Sequence, residues 1–288
     1  MWDKKTYFVN GDSRIVKFWS SKRLPFESNT SDIKSVKKEL KTKLLHLDVS
    51  VNNKLKAIYI SEEKDFVDVE NVLFYNVGIC AFPKKLKEIH FERKFSSPKK
   101  CSERNKLFNH YCEYELVQQI SSAIKEDKIL AKWEDVKFSK IRSNDKAESF
   151  WYNFKKQSDK IKIIKKSNAD SNFGIELFVK KPNKDKKNVF NLVKPMLDGL
   201  ICSFHNQKVV NNSLIDILHD RLGCEKSQIQ KFLEDKKKSP LWEKEILKNY
   251  GKKSIKWNPA DDVCTNVRLV IDTSKDNDWH FSGTIFLI

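Results

Sequence analysis

No stretch of about 18 consecutive apolar residues occurs in this chain of 288, so a membrane-spanning helix is not expected. Residues 1–12 lack the apolar centre of a signal peptide, which makes the cytoplasm the expected compartment. Glycine is scarce, seven in all, so backbone cradles for phosphate are few. No Walker A loop, GxGxxG, HExxH or GxSxG motif is present, and ATP hydrolysis and dinucleotide chemistry are therefore not expected. The six cysteines, Cys80, Cys101, Cys112, Cys202, Cys224 and Cys264, include no CxxC pair, and several lie inside apolar runs. Reduced, mostly buried thiols are expected.

Acids are also in deficit. Asp and Glu number 39 against 56 Lys and Arg, a net charge of +17. A biased genome can enrich Lys and Asn, but it does not explain an excess of cations over anions. A field of this size draws polyanions. Nucleic acid, DNA in the first place, is the expected partner and a membrane is not, with binding held largely through counterion release. The plain alternative is a solvated lysine-rich surface. Hydrophobic residues make up 39% and aromatics 11%, enough for a packed core.

Along the chain, residues 7–9 and 15–19 flank Asn10-Gly11 and read as a hairpin. Ile33, Val36, Leu40 and Leu44 recur at helical spacing behind Ser31 and Asp32. Residues 55–60 read as a strand, followed by acids at Asp65, Asp68 and Glu70 and an apolar run. Leu86, Ile89 and Phe91 read as a strand, Leu116, Ile120, Ala123 and Ile124 as the stripe of a helix, and Val136 and Phe138 as the start of another strand. A polar stretch at 143–148 marks the expected boundary between units 1–143 and 144–288. Phe150, Trp151 and Phe154 then open a helix, and 161–164 form a short strand. Three helices are expected within an insertion at about 207–250, the last over 242–247. Val267, Leu269 and Ile271 alternate, and 281–288 return as the last strand. The mixture lacks a strict βαβ rhythm and indicates an α+β fold, a mixed sheet with flanking helices.

The stretch 174–205 holds the most chemistry. Ile175, Leu177 and Val179 alternate as a strand. A loop carrying Lys180, Lys181, Lys184, Lys186 and Lys187 follows. Lys194 and Asp198 then open an apolar segment long enough for a helix. A loose rhyme links this stretch to residues 55–72, where a strand precedes Asp68-Val69-Glu70-Asn71-Val72. Two related units forming a pseudo-dimer would account for it.

These residues carry a resemblance. The C-terminal half resembles the RusA type of Holliday-junction resolvase, a family with D-x-D-N-L at a helix start, a later Asp-Asp pair after a tryptophan, and a terminal β-hairpin. Residues 194–200 occupy the first place, with Asp198 matching the second acid. Asp261 and Asp262 follow Trp257, and residues 267–288 read as the hairpin. Asp68, Glu70 and Asn71 match the same motif more faintly. Met196 stands where the family has its first acid, and Gly199 where it has Asn.

The resemblance implies Mg²⁺-dependent phosphodiester hydrolysis on branched or duplex DNA. Asp198, Asp261 and Asp262 would be metal ligands in the second half, with Asp68 and Glu70 as further candidates. Lys194 would neutralise phosphorane charge. The lysine loop would hold the DNA backbone, and Trp257 would stack on a base or wedge a junction. Each residue also has a plainer role. Asp198 suits a helix N-cap, Asp261-Asp262 a turn, and Trp257 a core. Asp68 and Glu70 would share a face if extended and otherwise belong to a solvated acidic loop. Cys202 and His205 are expected to pack in a core rather than react, and Cys101, His110 and Cys112 lack a fourth zinc ligand nearby. Three expectations stand together: a divergent endonuclease, an inactive nucleic-acid-binding or assembly module, and a protein-interaction subunit of a defence or mobile-element complex.

Overall fold

The computed structural model describes residues 3–27, 30–49, 54–63, 67–83, 85–120, 123–142, 146–168, 171–250 and 254–288. In chain order the elements are β1 (Tyr7–Gly11), β2 (Ile15–Ser20), α1 (Ser31–Leu45), β3 (Lys54–Ile60), β4 (Glu88–Lys94) and β5 (His110–Val117). Then come β6 (Ile129–Phe138), α2 (Ala147–Lys156), β7 (Ile161–Ile163), β8 (Phe173–Pro182) and α3 (Val193–Ser203). The rest are α4 (Asn212–Leu222), α5 (Lys226–Glu234), β9 (Leu247–Asn249), β10 (Ile255–Trp257), β11 (Cys264–Ser274) and β12 (Trp279–Leu287). Helices with mixed parallel and antiparallel pairing make the fold α+β, as the sequence implied.

The chain divides into two compact units, Met1–Ala123 with Cys264–Val270 and Ile124–Val263 with Ile271–Ile288. The expected division near 143 fell on a polar stretch whose residues 143–145 lie outside the described residues. The strand before it, β6, pairs with β12, so the chain ahead of 143 already belongs to the second unit.

In the first unit the strands run β1-β2-β5-β3-β4-β11, with β3 and β4 parallel and the other described pairs antiparallel. The β1–β2 turn is built on Asp12 rather than on Asn10-Gly11. Its carboxylate accepts from the Arg14 and Ile15 amides at 2.7 and 3.0 Å. Val36, Leu40 and Leu44 of α1 are fully buried, as their spacing required. Between β3 and β4 the chain makes one π-helical turn, Asn71–Tyr75, which buries Val72, Leu73 and Phe74. Phe74 meets Phe82 and Phe91 edge-on, and the Tyr114 hydroxyl donates to the Leu73 carbonyl at 2.8 Å. The helix expected around Leu116–Ile124 is replaced at its start by β5. Residues 111–117 pair along β3, with Leu116 opposite Leu55, and this ladder outcompetes the helical stripe.

The second unit orders its strands β8-β12-β6-β7, all antiparallel. Helices α2 and α3 cover this sheet. Phe150 and Phe154 of α2 pack on Phe138 and Phe281, and Met196, Leu197, Leu200 and Ile201 of α3 are buried. Helices α4 and α5 and the β9–β10 pair form a satellite core with Trp151, Leu214, Leu218, Ile229, Leu233 and Ile246. The third helix expected at 242–247 does not form. Gln207 takes the Leu247 amide and carbonyl with its side chain, at 3.0 Å each, and Lys244 donates its amide to Asn206. Those partners consume the backbone groups a helix would need.

Candidate acid and lysine site

Helix α3 starts at Val193, with Leu192 as its cap residue, so Asp198 lies inside the helix and is not its N-cap. The i,i+4 spacing sets Lys194 and Asp198 on one face, with Nζ 3.3 Å from Asp198 Oδ1. The same ammonium reaches Asp261 Oδ2 at 3.2 Å. Asp261 is buried on a single 3₁₀ turn, Asp261–Val263, immediately ahead of β11, and Asp262 follows on it half-buried. One cation therefore joins two carboxylates that are 63 residues apart in sequence, from 198 to 261. Their negative charge extends to a neighbour. The Cys202 thiol is pushed well above its ordinary range by burial, and then by Asp198 and Asp261. Such a thiol is no nucleophile.

Met196 is buried, 1% exposed, on the core side of α3, and so faces away from the acids. Gly199 has a packing reason. A Cβ there would lie 2.4 Å from the Ala147 carbonyl oxygen and 2.5 Å from the Phe150 Cβ, so α3 sits against α2 only because this residue has no side chain.

In the first unit, Glu70 is buried where the helical turn begins, and Asp68 is half-buried just before it. Asp68 accepts a short hydrogen bond from the Asn71 side chain. Asp65 lies outside the described residues. Asp68 and Glu70 each offer hard carboxylate oxygens, the donor type that suits Mg²⁺.

The lysine loop differs residue by residue. Lys187 donates to the Asp185 carboxylate at 2.8 Å, and Lys181 donates to the Lys187 carbonyl at 3.1 Å. These two shape the loop. Lys180, Lys184 and Lys186 are exposed. Trp257 is half-buried. Its indole N–H donates to Glu148 at 2.9 Å, and its ring meets Trp151 at 5.6 Å.

His205 is buried beneath Trp242 and donates from Nδ1 to that residue's carbonyl at 2.7 Å. Burial lowers its pKa to about 3, so the ring is neutral. Beside it, burial pulls the Lys155 ammonium down to about 8, with the His205 carbonyl as acceptor at 3.3 Å. Cys101, Cys112, Cys202 and Cys264 are buried free thiols, as expected, whereas Cys80 is exposed. Both ring nitrogens of His110 are engaged, by Tyr59 and Glu63, and that leaves no zinc-binding atom. This Glu63–His110–Tyr59 chain escaped the sequence reading, because residues so far apart give no local pattern.

Among the described residues no helix is long and apolar enough to cross a membrane. No protein-family model, curated protein or solved structure matches this chain.

Proposed function

We propose that the chain is a nucleic-acid-binding protein whose second unit carries an acid–lysine centre for Mg²⁺-dependent phosphodiester hydrolysis on branched or duplex DNA. The observation that carries this reading is Lys194 held between Asp198 and Asp261, at 3.3 and 3.2 Å. A half-buried carboxylate, Asp198, and a buried one, Asp261, on one ammonium form an acceptor-rich place for a cation. Their hard oxygens match Mg²⁺, which needs only one or two protein carboxylates when substrate phosphate supplies the rest. Asp198 and Asp261 would hold the ion. When bound, it would supply a nucleophilic hydroxide and stabilise the leaving oxygen. Lys194 would release its carboxylates and meet phosphate charge. The excess of 17 positive charges supports the substrate class.

A second reading is favoured by the burial of Met196, which removes one acid from the motif. It keeps the nucleic-acid binding and drops the cleavage. Calorimetric titration with Mn²⁺ separates the two. The first reading predicts a site lost in Asp261→Asn. No binding in the wild-type protein would leave only the second.

A further inference from the structure

Strands β6 and β8 both pair with β12, and their registers converge on its first residues. Trp279 lies opposite Phe138, while His280 lies opposite both Lys137 and Lys180. The segments that leave these two strands, at residues 139–141 and 182–187, therefore emerge side by side next to Trp279. Together with Asn277 they enclose an open depression of about 660 Å³. Its walls include Ser139, Lys140, Lys184, Lys186, Asn277 and Trp279.

The charge of this depression is one-sided. Asp185, the acid in its wall, is tied to Lys187 and accepts from the Trp279 indole at 3.3 Å. Burial would raise the Asp185 carboxyl, but these hydrogen bonds together hold it below its ordinary range, so it stays ionised and balances Lys187. Lys140, Lys184 and Lys186 are exposed and remain as the surplus. The aromatic lining residue is Trp279, which is 2% exposed. Its face is closed to a ligand, so the depression offers charge and hydroxyl or amide donors but no stacking platform. Proteins that prefer single strands rely on such platforms.

Resting on the nucleic-acid reading above, we infer that this depression grips the phosphate backbone of a duplex, with Lys140, Lys184 and Lys186 as its phosphate contacts. Recognition there is independent of sequence and does not favour single strands.

The test is fluorescence anisotropy on a labelled duplex and on a single strand of equal length, with the full chain, from about 50 to about 200 mM salt. The triple variant Lys140→Glu, Lys184→Glu, Lys186→Glu should lose at least about tenfold in duplex affinity. Its log–log salt slope should fall by roughly 2–3, about one per phosphate contact. A control reversing the exposed Lys22, Lys85 and Lys87 should stay within about twofold. Equal losses in the two variants, no loss in the first, or tighter binding of the single strand would overturn the inference while leaving the nucleic-acid reading intact. A wild-type chain that binds neither probe would overturn both. Unchanged thermal unfolding of the variants shows that folding is not the cause of any loss.

Discussion

Lys194 is the residue on which the proposed chemistry turns. Removing its charge leaves Asp198 and Asp261 facing one another, both largely shielded from solvent. Lys194→Met should therefore destabilise the second unit by about 1–3 kcal/mol, read by urea denaturation, and Mg²⁺ should restore part of that loss. If metal fails to restore it, the two acids do not act as ligands. Lys155 gives a prediction of the opposite sign. Its folded pKa of about 8 lies below its ordinary 10.5. The folded chain binds fewer protons between those values, so this group's contribution to stability is fullest above pH 10.5 and is lost as pH falls to about 8. Lys155→Met should raise stability at pH 7 by on the order of 1–2 kcal/mol, after allowing for the His205 carbonyl it leaves unpaired. It should also flatten the rise between pH 8 and 10.5. His205 follows the same rule at lower pH. Its stabilising contribution is complete above 6.5 and is lost as pH falls toward 3, so His205→Gln should shallow the acid limb of the stability profile.

Helices α2 and α3 meet backbone to backbone at Gly199, and this contact sets the orientation in which α3 presents Lys194 and Asp198. Gly199→Ala should cost about 1–3 kcal/mol, measured by denaturation, because the new methyl group meets the Ala147 carbonyl and the α2 backbone rather than a flexible side chain. An unchanged stability would mean that the helices can part at little cost. Elements of this kind were partly legible in the sequence. Alternation in residues 175–179 and 267–271 marked β8 and β11, and helical spacing marked α1 through Val36, Leu40 and Leu44. What escaped was set by distant partners. Leu116 belongs to a strand because Leu55 lies opposite it, and residues 242–247 stay out of a helix because Gln207 and Asn206 take their backbone groups. In the site, the Lys194–Asp198 pair follows from helical spacing alone. The approach of Asp261 needed the fold. The depression at Lys140 and Lys184 needed the β12 register, which no local pattern encodes.

At the scale of the molecule, the +17 charge is the property most open to measurement without knowledge of any site. Affinity for duplex DNA should fall steeply with salt, by on the order of a thousandfold between about 50 and 200 mM if some six phosphates are neutralised. A flat dependence would contradict every nucleic-acid reading, because lysines that neutralise phosphates release counterions and so make affinity depend on salt. The hydrolytic claim needs more than binding. The most direct measurement is cleavage of a labelled four-way junction, beside plain duplex and single-stranded DNA, in Mg²⁺ and in EDTA, with binding read on the same samples. The account predicts nicking in Mg²⁺ that disappears in EDTA and in Asp198→Asn and Asp261→Asn, while binding persists. Binding without nicking in any metal, or nicking that survives both substitutions, would contradict it.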